Sequence, residues 1–331
     1  MTSFSHFKQR VKDCSKSDFN ELAIELFHYQ AKENPVYSAF IGHLGLNLQD
    51  ITHIGQIPFM PVDFFKHHRV LCDGLSVQTV YQSSGTTGQQ VSKNYLPDTD
   101  FYLDHATGIF QDIYGPLKDM HILALLPNYL EREGSSLVDM VRHFISLTGD
   151  PYSGFYLHDH AALRERIVYL SRHSNRNILL LGVSFALLDL AEEGSFPDAE
   201  NLVVMETGGM KGRRREMLRE ELHEILTAAF SVDVIHSEYG MTETLSQAYS
   251  GGYGLFNTPC SMQVRLRDPN DPLDLSNSVK RGAINLIDLA NIHSCAFLQL
   301  ADLAERVDDE QFRVLGRMDN SDVRGCNLMV Q

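Results

Sequence analysis

The chain has 331 residues, 43% hydrophobic and 21% charged, enough to build one large domain or two smaller ones. Its net charge of −15 argues against a broad nucleic-acid-binding surface. Five scattered cysteines without a CxxC pair argue against a disulfide framework or a zinc site. The N-terminal MTSFSHFKQRVKDCSK has no apolar signal core and no apolar run is long enough to span a bilayer, so a cytoplasmic protein is expected.

In chain order, residues 17–33 place Phe19, Leu22, Leu26, Phe27 and Gln30 at helical spacing, with Ser17 in the N-cap position. PFMPVDFF at 58–65 predicts an extended, packed segment, because its prolines disfavour helix. Helical patterns at 98–114, 135–147, 160–173 and 185–193 alternate with apolar runs at 121–127, 177–183 and 201–209. A helical pattern at 215–229 and a strand pattern at 232–240 follow. This alternation predicts an α/β fold, a parallel sheet with helices on its faces. Beyond about residue 260, short strands are expected at 261–267, 283–289, 296–302 and 311–317. The expected organisation is a single domain over 1–331. It comprises a helical and extended region at 1–75, an α/β core at 76–260, and a β-rich part with a C-terminal tail at 261–331. The basic cluster Lys211, Arg213, Arg214 and Arg215 runs into a segment carrying Glu216, Glu220, Glu221 and Glu224, and reads as a solvated helix face.

Three segments suit phosphate and nucleotide chemistry. Ser83, Ser84, Gly85, Thr86, Thr87 and Gly88 form an unbroken run of small or hydroxylated residues, with Lys93 close behind. The glycines permit tight backbone geometry, and the hydroxyls and amides offer donors to an anion; a turn-rich surface loop is the commoner use of such a string. The run is not a Walker loop, and no GxSxG elbow occurs. His158 and His160 lack a third metal ligand nearby, which favours a polar helix start. SEYGMTET at 237–244 falls at the end of an expected strand, where such sheets commonly bind ligands. There Tyr239 offers a flat face to a nucleobase, Thr242 a donor to phosphate and Glu243 a carboxylate for magnesium; the alternative is a helix start capped by Thr242. Asp302, in LQLADLA, and Arg317, in VLGRMDN, suit the hydroxyls of a ribose, although singly each reads as a surface charge.

Taken in order, SSGTTG with Lys93, TGGMK at 207–211, YGMTE at 239–243 and GRMD at 316–319 resemble the signature segments of the adenylate-forming superfamily over roughly residues 80–325. The resemblance implies that superfamily's N-terminal large domain, with a β-rich C-terminal portion, and implies ATP and Mg2+ as cofactors. It assigns Ser83, Ser84, Gly85, Thr86, Thr87, Gly88 and Lys93 to the triphosphate. Gly208 and Gly209 border the adenine and the acyl pocket, Tyr239 meets adenine, and Asp302 and Arg317 hold the ribose. Thr242 holds the α-phosphate and Glu243 the magnesium ion. The superfamily's usual mobile C-terminal domain, with its adenylating lysine, is expected to be lacking: DNSDVRGC follows the GRM segment and the sequence ends at Gln331.

The ending RGCNLMVQ, with IPFMPVDFFK upstream of the phosphate loop, resembles the acyl-protein synthetases, the long-chain-fatty-acid–luciferin-component ligases. That likeness implies activation of a fatty acid as acyl-AMP and transfer to Cys326 as a thioester. Delivery to a partner such as an acyl-CoA reductase-like protein, within a homo- or hetero-oligomer, would follow. The residue-level alternative for Cys326 is a small apolar residue in a final strand. Two other readings stand beside it: an acyl- or aryl-CoA ligase of the phenylacetate type, and an inactive nucleotide- or acid-binding scaffold.

Overall fold

A computed structural model describes residues 3–83, 90–127, 134–157, 159–208 and 217–318. The N-terminal region folds as α1 (Phe4–Lys12), α2 (Phe19–Glu33) and α3 (Pro35–His43). α2 buries Phe19, Leu22, Leu26, Phe27 and Gln30 as their spacing predicts, although Asp18 rather than Ser17 holds the N-cap position. α1 and α3 lie outside the elements expected from periodicity. α3 starts because the Asn34 side chain accepts from the Val36 and Tyr37 amides at 3.0 and 3.2 Å, while Pro35 takes a first-turn position that needs no N–H. The proline-aromatic stretch is extended and packed through β1 (Met60–Pro61), as expected, but its last two residues, Phe64 and Phe65, instead begin a short helix, α4 (Phe64–His67).

A separate hairpin follows, β2 (Thr79–Gln82) against β3 (Lys93–Leu96), with Gln82 opposite Lys93. The alternating region then runs α5 (Thr99–Tyr114), β4 (Met120–Leu125), α6 (Ser136–Thr148), β5 (Gly154–Phe155), α7 (His160–His173), β6 (Asn177–Val183) and α8 (Ser184–Glu192). It ends with β7 (Leu202–Thr207), α9 (Arg219–Phe230) and β8 (His236–Tyr239). All six residues of β4 are buried, as befits a strand covered on both faces. Strands β5, β4, β6, β7 and β8 are neighbours in that order and pair in parallel, as the alternation predicts. The strand expected at 232–240 is confined to its last half, because Val232–Val234 form the approach from α9.

Past β8 the pairing turns antiparallel through β9 (Ala248–Ser250), β10 (Leu255–Asn257), β11 (Met262–Arg267), β12 (Arg281–Asp288), β13 (Phe297–Arg306) and β14 (Gln311–Arg317). Among the described residues these strands and the parallel ones form one twelve-stranded sheet, ordered β11-β12-β13-β14-β10-β9-β8-β7-β6-β4-β5, with β1 added in parallel to β13. The N-terminal helices pack on the antiparallel part: Phe27 and Tyr37 meet Phe297 of β13 at ring-centroid distances of 6.0 and 6.2 Å. Among the described residues no helix is long and apolar enough to cross a membrane.

Candidate functional site

The parallel strands β7 and β8 both end at one edge of the sheet, and the expected site residues lie where they end. Beyond β7, Gly208 adopts φ +70°, a left-handed turn that suits glycine. Tyr239 closes β8, and the chain then turns through Thr242 and Glu243 without forming a helix. The helix-cap alternative for Thr242 is therefore corrected: a turn closed by the Thr244 amide on the Met241 carbonyl, 3.3 Å, stands there instead.

The β2–β3 hairpin is fastened directly to that turn. At its base the Ser83 amide donates to the Ser92 carbonyl and the Ser92 amide to the Ser83 hydroxyl, both at 3.0 Å. Two residues further on, the fully buried Asn94 donates through Nδ2 to the Thr242 carbonyl at 3.0 Å, and its Oδ1 lies 2.9 Å from Nε2 of buried His293. Lys93, on the alternate side of β3, is exposed, so the structure brings Asn94 rather than Lys93 onto Thr242. Ser84, Gly85, Thr86, Thr87, Gly88, Gly209 and Cys326, like His158, Lys211, Arg213, Arg214 and Arg215, lie outside the described residues.

Glu243 is buried, with 7% of its surface exposed. Burial raises its carboxyl pKa, while a hydrogen bond from Ser92 and the positive charges of Arg317 and Lys66 pull the other way. Lys66, from α4, lies near enough for its charge to act on Glu243, though its own ion pair is with Asp63 at 2.6 Å. The Asn291 side chain donates to the Glu243 carbonyl at 2.6 Å. Buried Asp288 accepts from the Leu245 and Ser246 amides at 2.7 and 3.1 Å and from the Ser246 hydroxyl at 2.7 Å. The turn from Thr242 to Ser246 is thereby held at four successive backbone points by Asn94, Asn291 and Asp288.

These supports are in turn fixed by α2 and its C-terminal cap. Gln30 donates to the Asn291 and Ile292 carbonyls at 2.8 and 3.0 Å, and Asn34 to the Ser294 carbonyl at 2.7 Å. The sequence signal for this network is faint: the NIHSC string at 291–295 reads as an ordinary polar loop, although every one of its residues is buried.

Tyr239, Asp302 and Arg317 also come together. Asp302 of β13 faces Arg317 of β14 across the ladder, with the guanidinium Nε 4.0 Å from Oδ1. The Tyr239 hydroxyl donates to the other carboxylate oxygen at 2.8 Å, and its ring packs at the edges of Phe256 and Phe312, 5.8 and 5.7 Å away. Burial raises the Asp302 pKa; the Tyr239 hydrogen bond and the Arg317 charge oppose it. Next to Tyr239, Glu238 is buried and accepts from the Thr207 hydroxyl of β7; burial, helped by the Glu206 charge, pushes its pKa up to about 7. His160 lies at the start of α7 and pairs with Glu193 at 2.6 Å, while Asp159 caps the helix. Among the described residues no group of three potential metal ligands occurs.

No protein-family model matches the chain, and no curated protein matches it. Solved structures do. The luciferase-like enzyme from the nonluminescent mealworm Zophobas morio aligns at a TM-score of 0.50 and 12% identity, over 75% of this chain and 59% of its own. The unliganded O-succinylbenzoate coenzyme A synthetase from Bacillus subtilis aligns at 0.50 and 15% identity, over 77% of this chain and 54% of its own. The chain shares its α/β fold with these two enzymes over the aligned part. A further structure of the Bacillus subtilis synthetase, in complex with ATP and magnesium ion, aligns at 0.49 and 17% identity, over 73% of this chain and 50% of its own. This chain spans about half the length of the solved structures it matches.

Proposed function

We propose that this chain uses ATP to activate a carboxylic acid, of the fatty-acid class, as acyl-AMP and passes the acyl group to a protein thiol, its own Cys326. The observation that carries this reading is one connected cluster: Ser83 and Ser92 at the loop base, Thr242 and Glu243 in the turn after β8, and Tyr239, Asp302 and Arg317 beside them. On this reading the groups for phosphate, magnesium and sugar gather around the C-terminal end of the parallel strand β8, the side on which α/β sheets bind ligands.

A carboxylate resists attack because added electrons must enter an anion. In the proposed first step its oxygen bonds to the α-phosphorus of ATP as the bond to the bridging oxygen breaks, and pyrophosphate leaves. Ser83 and Thr242 orient the phosphates, and the cationic side chains of Lys93, Lys66 and Arg317 oppose the charge that grows on the leaving group. Asp302 retains Oδ1 for a ribose hydroxyl while the Tyr239 hydroxyl occupies Oδ2.

Glu243 fits a magnesium ion. It is a buried carboxylate whose pKa is raised by burial, and magnesium commonly takes one protein carboxylate with substrate phosphates completing its shell. When bound, the ion would neutralise phosphate charge.

In the second step the Cys326 thiolate attacks the acyl carbon, the carbon–oxygen bond of the anhydride breaks, and AMP departs. The thioester would then be delivered to an acyl-accepting partner, such as a reductase-like protein, in the cytoplasm. The test uses labelled fatty acid with ATP and magnesium. Label bound to protein, released by hydroxylamine and lost in Cys326→Ser, is expected. Label on added coenzyme A with none on protein would overturn the protein-thiol acceptor.

A further inference from the structure

Two cysteines outside the site lie against each other, 246 positions apart in sequence. Cys14 follows α1, and its Sγ approaches the Cys260 carbonyl oxygen to 3.4 Å, within the reach of a sulfur hydrogen bond. Both residues are half-buried, so small oxidants can reach them. Each is held in place independently. α1 is pinned to α5 by Lys12 on Asp104 at 3.4 Å and by Lys8 on the α5 cap residue Asp98. The segment just past Cys14 is tied by Lys16 to Glu310. Glu310 also accepts, through its carbonyl, from the Thr258 amide at 3.0 Å, and the Met262 amide closes a turn around Cys260 on the Pro259 carbonyl at 3.0 Å. The fold therefore sets the Cys14 thiol against the backbone of Cys260.

We propose that Cys14 and Cys260 form a reversible disulfide, fastening the N-terminal helices to the approach of edge strand β11 when the protein meets a peroxide. The Cys260 thiolate attacks one peroxide oxygen: a sulfur–oxygen bond forms, the oxygen–oxygen bond breaks, and hydroxide leaves. Cys14 then attacks the resulting sulfenic sulfur, giving up its proton; the sulfur–sulfur bond forms, the sulfur–oxygen bond breaks, and water leaves. Two thiols and one hydrogen peroxide thus yield one disulfide and two waters, and a dithiol reductant reverses the change by two exchanges.

Cys260 takes the attacking role: the neighbouring Cys14 and Lys16 bring its pKa down to about 7 against the opposing effects of burial and Asp112. The Cys14 thiol, beside Cys260, half-buried and near Asp18, is pushed up, opposed by Arg10. The bond would close beside the site's framework: the next residue, Ser261, has its hydroxyl 2.9 Å from that of Ser246 and 3.2 Å from His105 Nε2.

The full chain is treated with hydrogen peroxide, alkylated, digested and mapped by mass spectrometry without reduction. A linked peptide pair containing Cys14 and Cys260, lighter by two hydrogens and separated by dithiothreitol, is expected. In Cys14→Ser, Cys260 should be trapped by dimedone as the sulfenic acid. In Cys260→Ser, Cys14 should remain alkylatable, and circular dichroism shows whether each variant is folded. Both thiols staying fully alkylatable in folded, peroxide-treated protein would overturn the proposal. So would linkage of Cys260 to any cysteine other than Cys14.

Discussion

Replacing Asn94 with alanine tests the strut between the hairpin and the turn that carries Thr242 and Glu243. The substitution deletes a donor and an acceptor at a site with no solvent exposure: the Thr242 carbonyl loses its partner at 3.0 Å and His293 Nε2 its partner at 2.9 Å. Each buried group left unpaired costs about 1–3 kcal/mol, and a water entering the vacated space recovers part of that, so a net loss of about 2–4 kcal/mol is expected. The chain has no tryptophan, so urea unfolding is best followed by far-ultraviolet circular dichroism. Asn94→Asp separates the two bonds. It keeps an acceptor for His293 but sets a carboxylate oxygen against the Thr242 carbonyl. Both variants should also lower acid-dependent ATP–pyrophosphate exchange. A stability change below about 0.5 kcal/mol in Asn94→Ala, the ordinary range for unimportant surface positions, would refute the strut.

Glu238→Gln should flatten part of the pH dependence of stability. A carboxyl raised from 4.5 to about 7 in the fold contributes stability that is complete below the unfolded value and is lost as pH rises through the folded one. Relative to the variant, the parent should weaken by on the order of 3 kcal/mol between about pH 4 and about pH 8, at about 1.4 kcal/mol per pKa unit; urea midpoints at both ends check this. Glu243→Gln should abolish exchange activity while leaving stability unchanged or raised, because a buried carboxylate is exchanged for a neutral amide; paired exchange and urea measurements read both effects. Tyr239→Phe frees Asp302 Oδ2 and should cost about 1 kcal/mol of stability. It should also change KM for ATP more than kcat, which steady-state kinetics resolves.

Much of the parallel sheet was legible because fully apolar runs such as ILALL at 122–126 and NILLLGV at 177–183 have few other uses. The site's outline was legible through the order of its segments. Short elements escaped: the β2–β3 hairpin offers four residues a side, too few for a periodic signal, and α3 is set by Asn34 and Pro35 rather than by an apolar stripe. The supporting network was hidden for a different reason. Gln30, Asn34, Asn94, Asn291 and His293 are buried polar residues whose partners are mostly backbone groups up to 266 positions distant. No local pattern encodes such pairings. Lys66 was missed likewise, since only the packing of α4 places its charge toward Glu243.

The central claim is acid activation at the cluster of Ser83, Thr242, Glu243, Asp302 and Arg317, and ATP–pyrophosphate exchange tests it most directly. The assay uses magnesium and a panel of fatty and aromatic acids, with the parent chain, Glu243→Gln and Cys326→Ser side by side. Acid-dependent exchange in the parent and in Cys326→Ser, absent in Glu243→Gln, is the expected result. No exchange with any acid in a folded parent chain, or exchange undiminished in Glu243→Gln, would contradict it.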